Sequence, residues 1–279
     1  MDNLLSGGLA MLASPFMRQA LVASFLASIA CGVVGTLVVR SRLTFLAGGV
    51  AHAAYGGIGL AFCFGIPVLP ATLAFSLAAS MLMGSLSLRG KHSGDTAATD
   101  TAIGVLWAGG MAFGIILIEL TPGYAGELMG FLFGSILTVP AADILAMAFF
   151  DAAILALLVW FYQGFWALCQ DRDFAGTRAV PVNALYLLLV GITAVTVVLL
   201  IRIVGLILVL ALLTIPPALA EKKGRPLYAC MLAASLYSCI FCVIGLLVSW
   251  HLDISSGAAI IAVATCVYFL RPALRAVSR

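Results

Sequence analysis

The chain has 279 residues, 64% of them hydrophobic and 9% charged, with a formal net charge of +3. Soluble domains carry about 25% charged residues, so the composition excludes an ordinary soluble enzyme and points to a helical membrane protein. The small positive excess needs no nucleic-acid partner, because the basic residues sit where membrane orientation would put them.

The first seventeen residues lack the basic region of a cleavable signal. The first apolar run, 16–39, is therefore expected to direct insertion itself. Further runs near the ~20 residues needed to cross hydrocarbon fall at 43–66, 68–88, 101–121, 141–163, 182–201, 203–220, 227–250 and 254–271. Leu128–Val139 is shorter, about 12 residues, and reads as a re-entrant segment. The expected fold class is an all-α polytopic membrane protein of about nine spans (eight to nine) plus a short re-entrant helix. Residues 1–279 form a single transmembrane domain in this reading. The longest polar stretches, Arg89–Asp100 and Gln170–Arg178, are too short to fold a core of their own.

Basic residues set the orientation. With the C-terminus in the cytoplasm, nine spans leave Arg40, Arg42, Arg89, Lys91, Arg172, Arg178, Lys222, Lys223, Arg225, Arg271, Arg275 and Arg279 inside. Of the 14 Lys and Arg residues, only Arg18 and Arg202 fall outside. The odd span count puts the N-terminus outside. The same threading gathers Glu119, Glu127 and Asp143 near the outer surface, with Asp253 and Asp2. An acidic rim would concentrate cations at a mouth; alternatively, Asp143 after Pro140 suits a first helical turn.

No G-x-x-x-x-G-K-[ST] loop occurs, and neither H-E-x-x-H nor G-x-S-x-G is present. The chain reads as a non-enzyme without an ATP site of its own. The seven cysteines lie mostly within spans, and Cys239 and Cys242 form a lone C-x-x-C that reads as packing. Gly110/Gly114 and Gly130/Gly134 have the spacing of close helix contacts. Asp100 is placed to cap a helix beginning at Thr101. Pro216 and Pro217 permit a kink near the end of a span. His92 and His251 fall in expected loops.

The span at 43–66 holds one histidine, His52, among glycines and alanines. Ionisable groups inside spans usually face a cavity or a partner, and small residues leave room for close approach or passage. Asp151, about midway along its span, is the other intramembrane ionisable group. It reads either as a second path residue or as a structural hydrogen-bonding group.

Five blocks carry a resemblance: Ser41–Phe64 with its A-G-G-V-A-H-A core, D-T-A-I-G from Asp100, L-F-G-S-I-L-T-V-P-A-A-D over Leu132–Asp143, Asp171–Val182, and V-G-L-I-L-V-L-A-L-L-T-I-P-P-A-L-A over Val204–Ala220. In this order and spacing the chain resembles the membrane (permease) subunits of bacterial ABC importers for zinc, manganese and iron. The resemblance implies a homodimer in the inner membrane with the metal path at its centre. It also implies two cytoplasmic ATP-binding subunits and an extracytoplasmic metal-binding protein, with membrane lipid around the spans. No cofactor is held permanently; the cargo is a divalent ion, zinc or manganese first. Imidazole suits zinc, manganese and ferrous ion alike, so ligand softness does not choose among them.

The family's intramembrane histidine falls on His52, but its aspartate position is Gly48. The two are four residues apart and share a helix face. Asp151 is a candidate substitute for the missing carboxylate. Force from the ATPases would enter at 166–181, with Asp171, Asp173, Phe174 and Arg178 as the coupling residues. The competing readings are an ATP-independent, gradient-driven metal transporter and a permease for a chelated metal.

Overall fold

A computed structural model describes residues 15–93, 96–122, 130, 132, 134, 136, 139–170, 181–222 and 224–277. Its regular elements are helices: α1 Pro15–Arg40, α2 Thr44–Phe64, α3 Val68–Ser93, α4 Thr96–Leu120, α5 Ala141–Trp160, α6 Tyr162–Gln170, α7 Val182–Val204, α8 Leu206–Ala220, α9 Leu227–Leu252 and α10 Ser256–Val277. Helix is the expected form in hydrocarbon, where each backbone polar group must be satisfied within its own segment.

Among the described residues, seven helices are long and apolar enough to cross a membrane: α1 to α5, α7 and α9. Leu206–Ala220 and Ser256–Arg271 are apolar but shorter. The nine full-length runs read from the sequence thus become seven plus two short ones. The break expected at Arg202 falls instead at Gly205, whose φ of 84° and ψ of 160° suit glycine alone. Leu128–Val139 lies largely outside the described residues; within it, Ile136 and Val139 are buried.

The chain divides into two compact units. One comprises Leu37–Leu132 and Ile154–Arg202. Here α2 packs against both α3 and α4. Five glycines in α2 (48, 49, 56, 57 and 59) would each cost a solvated helix roughly 1 kcal/mol relative to alanine. In a membrane, small residues let backbones meet. A Cβ on Gly59 would fall 2.5 Å from the Gly114 carbonyl oxygen, and one on Gly110 would fall 3.0 Å from Cα of Ala53. One on Gly114 would strike the Tyr55 carbonyl. The Gly110/Gly114 pair is thus the α2–α4 crossing point.

Helix α3 meets α7 in the same unit, where the Tyr186 hydroxyl donates to Ser87 Oγ at 2.7 Å. The chain enters α2 through a tight turn in which Leu43 N–H donates to Val38 O (2.8 Å) and Arg42 N–H to Val39 O (3.1 Å). These bonds form a Schellman-type end, and the left-handed position usually given to glycine is held by Arg42 at φ 58°.

The other unit comprises Met1–Thr36, Phe133–Ala153 and Ile203–Arg279. Within it α8, α9 and α10 pack against one another. Gly35 of α1 brings its backbone against Leu213 and Pro217 of α8. Pro216 and Pro217 lie inside α8, which continues to Ala220 rather than stopping at them. Gly134 does not form the second small-residue helix contact: it has φ 62° and lies against the backbone of Val204 and Gly205.

Candidate functional site

His52 sits midway along α2, half-buried, with Ala51, Ala53 and Ala54 beside it fully enclosed. Its Nδ1 lies 2.8 Å from the carbonyl oxygen of Gly48, one turn back. A carbonyl only accepts, so the neutral ring carries its proton on Nδ1. The lone pair of Nε2 is then left to face outward from the backbone. This is the tautomer in which an imidazole can ligate a metal through Nε2 while its other nitrogen is fixed by a hydrogen bond.

The ring is also held from α4. Its centroid lies 4.3 Å from that of Trp107, with the planes inclined by 37°. Trp107 is in turn 5.9 Å from Phe45 on the first turn of α2. An aromatic pair at this range contributes about 0.5–1.5 kcal/mol beyond area burial. A hydrogen bond from one side and an indole from the other therefore restrict the imidazole. Trp107 was not singled out in the sequence. The available signal was an indole in the glycine- and alanine-containing run Ile103–Gly114, but its partner lies on another helix.

Gly48, at the family's aspartate position, is buried, yet a Cβ there would meet nothing within 4 Å. A Cβ on half-buried Gly104 or exposed Gly109 of α4 would likewise meet nothing within 4 Å. Space for a carboxylate thus exists beside His52 without the carboxylate. Among the described residues no group of three or more His, Cys, Asp or Glu side chains is placed to hold a metal ion. One chain presents a single imidazole here.

Asp151 belongs to the other unit. It is 6% exposed, and among the described residues its Oδ2 is buried without a hydrogen-bond partner. That unit also buries Ser28, whose hydroxyl donates to the Ser24 carbonyl at 2.6 Å and lies 3.9 Å from Cys242 Sγ. Cys239 and Cys242 are free thiols, the first half-buried and the second buried.

Of the outer acidic residues, Glu119 is exposed on the last turn of α4, and Asp143 occupies the first turn of α5. An acidic side chain there complements the helix dipole. Glu127 lies outside the described residues, as do the coupling residues Asp171, Asp173, Phe174 and Arg178. Helix α6 leads into that segment, with Phe165 and Leu168 buried and Trp166 exposed. Asp100 is not a helix cap: α4 begins at Thr96, so Asp100 lies inside it. His251 is likewise on a helix, exposed in the last turn of α9, with Nδ1 2.9 Å from Leu247 O.

The model of the ABC 3 transport family matches residues 13–275. An uncharacterized membrane protein of Synechocystis sp. is 45% identical over 260 residues, covering 93% of this chain and 91% of that protein. The manganese transport system membrane protein MntC of Listeria monocytogenes is 29% identical, covering 91% of this chain and 89% of its own length. Among solved structures, PsaBC from Streptococcus pneumoniae in complex with Fab superposes with a TM-score of 0.83 at 25% identity. The match covers 96% of this chain and 94% of that one.

Proposed function

Because the chain belongs to the ABC 3 transport family, we propose that it is the membrane-spanning permease subunit of a bacterial ABC importer for divalent metal ions, with manganese or zinc as cargo. The family match over residues 13–275 carries this reading. The MntC relative supports manganese, since it matches along nearly its whole length.

In this account the permease sits in the inner membrane as a homodimer and crosses it nine times, counting the shorter α8 and α10. The N-terminus is outside and the C-terminus in the cytoplasm, as the basic residues indicate. Two ATP-binding subunits dock from the cytoplasm at 166–181, and an extracytoplasmic protein delivers the ion. Residues 1–279 act as one permease domain.

His52 lines the path. One imidazole is too few ligands for a divalent ion, which takes four or more. A second copy related by two-fold symmetry brings a second imidazole, and water completes the shell. Such a site is weak, which suits conduction, because a transported ion must be released as readily as it is bound. Asp151 is a second path candidate, and Glu119, Glu127 and Asp143 form an outer acidic rim that raises the local cation concentration. ATP-driven closure and reopening of the cytoplasmic subunits alternates access to the site.

The test is reconstitution in lipid with an ATPase and an extracytoplasmic binding protein of the same transport system. ATP hydrolysis should rise when the binding protein carries manganese or zinc. Uptake that persists without any ATPase subunit would favour the gradient-driven alternative. For coupling, Phe174→Asp should leave the permease inserted and abolish transport, because a docked helix depends on its apolar anchors. Normal transport by that variant would remove Phe174 from the coupling site.

A further inference from the structure

At the end of the Leu37–Leu132 unit where α2 and α4 begin, Arg42, Leu43, Phe45, Leu46, Ser87, Thr99, Asp100 and Ile103 line a cavity of about 100 Å³. That is well below the 300–1,000 Å³ typical of a drug-sized ligand, so it suits a short polar headgroup lying across its open mouth. Its floor is apolar, since Leu43, Leu46 and Ile103 are buried to 4% exposure or less. Its rim carries a guanidinium from Arg42 and a carboxylate from Asp100, and among the described residues no ion pair joins them. Ser87 Oγ accepts from the Tyr186 hydroxyl. A serine hydroxyl that already accepts keeps its own proton to donate.

The backbone supplies an independent observation. Arg42 holds φ 58° at the end of α1, a conformation that glycine ordinarily supplies. The capping turn fixes the Arg42 backbone and so holds the root of its side chain beside the cavity mouth.

We propose that this cavity binds the headgroup of a zwitterionic phospholipid bearing a primary ammonium. The phosphate oxygens rest on the Arg42 guanidinium and the Ser87 hydroxyl, and the ammonium rests on the Asp100 carboxylate. The glycerol and the start of the acyl chains lie over Phe45, which is 45% exposed beside the opening. The chemistry matches group by group: cation and hydroxyl for phosphate, anion for ammonium, and apolar surface where the chains begin. The site lies at the helix termini, the depth at which headgroups lie against a membrane protein. A docked protein would need a far larger buried face than one small cavity.

The test uses the full chain, purified with its ATPase subunits from nanodiscs containing equal parts of phosphatidylethanolamine, phosphatidylglycerol and phosphatidylcholine. Native mass spectrometry then reads the retained lipid. Wild type should retain phosphatidylethanolamine in preference to the other two. Arg42→Gly should lower that retention about tenfold, the scale of one charge-assisted hydrogen bond. Its thermal midpoint should be unchanged or higher, since glycine adopts φ 58° without strain. Asp100→Asn should abolish the preference for phosphatidylethanolamine over phosphatidylglycerol. Equal retention of the three lipids, or undiminished retention in Arg42→Gly, would overturn the proposal. So would displacement of the lipid by soluble phosphoethanolamine at similar concentration, which would identify a soluble ligand. Loss of ATPase subunits from Arg42→Gly with lipid retention intact would assign the cavity to a protein contact and equally overturn it.

Discussion

The Nδ1 atom of His52 lies 2.8 Å from the carbonyl oxygen of Gly48, so the imidazole is anchored by the residue that replaces its expected acidic neighbour. The hydrogen bond fixes the tautomer, and Trp107 fixes the ring from the other side. Nε2 is thereby presented without help from a carboxylate.

Restoring the carboxylate is therefore a direct manipulation. A Cβ at position 48 meets nothing within 4 Å. The variant should insert normally. With an anionic ligand one turn from His52, metal retained by the purified protein should rise about tenfold or more. Turnover should fall if release becomes slow. Elemental analysis of the purified variant alongside uptake measures both, and unchanged metal content would show that position 48 does not face the ion.

The α2–α4 crossing gives a second prediction with an internal control. Gly114→Ala drives a methyl group into the Tyr55 carbonyl and should destabilise the protein by about 1–3 kcal/mol, the usual range for overpacking. Gly104→Ala, on the same helix but facing open space, should be neutral or stabilising by up to about 1 kcal/mol. Thermal unfolding of both variants in one detergent separates the two outcomes. Equal midpoints would contradict the crossing geometry.

Trp107 should matter through His52. Trp107→Ala frees the imidazole on one side, so uptake should fall several-fold, while Trp107→Phe keeps an aromatic face and should retain most activity. Metal dependence of uptake in the two variants is the measurement. Equivalent behaviour of the alanine and phenylalanine variants would leave the ring contact without a role in transport.

Topology supplies a fourth prediction. Lys222 follows α8 in the basic turn before Arg225, whose guanidinium donates to the α8 carbonyl of Ala220 at 3.1 Å. In a cysteine-free background, Lys222→Cys should label only from the cytoplasm, and a cysteine at Asp253 only from outside. Labelling of position 222 from outside would invert the orientation.

What the sequence disclosed and what it hid divide along physical lines. Apolar runs located the helices, because hydrocarbon thickness imposes a length that local composition reveals. The Gly110/Gly114 spacing gave a true contact, since both glycines lie on one helix. The similar spacing of Gly130 and Gly134 did not, because Gly134 has a left-handed φ of 62° against the Val204–Gly205 backbone, which pattern alone does not encode. Asp100 looked like a cap because it precedes an apolar run, but the preceding Thr96–Thr99 turn is already helical. His52 was visible as a polar residue among small ones. Its indole partner and the room beside Gly48 depend on how separate helices meet, and no local pattern reports that.

Uptake by the His52→Leu variant tests the central claim most directly. The complete complex, with binding protein and ATPase subunits, is reconstituted in proteoliposomes, and accumulation of radioactive manganese and zinc is followed. The account predicts that His52→Leu assembles fully and keeps basal ATP hydrolysis, yet accumulates metal at least about tenfold more slowly than wild type. Wild-type accumulation by His52→Leu, with unchanged preference between the two metals, would contradict it and return His52 to packing.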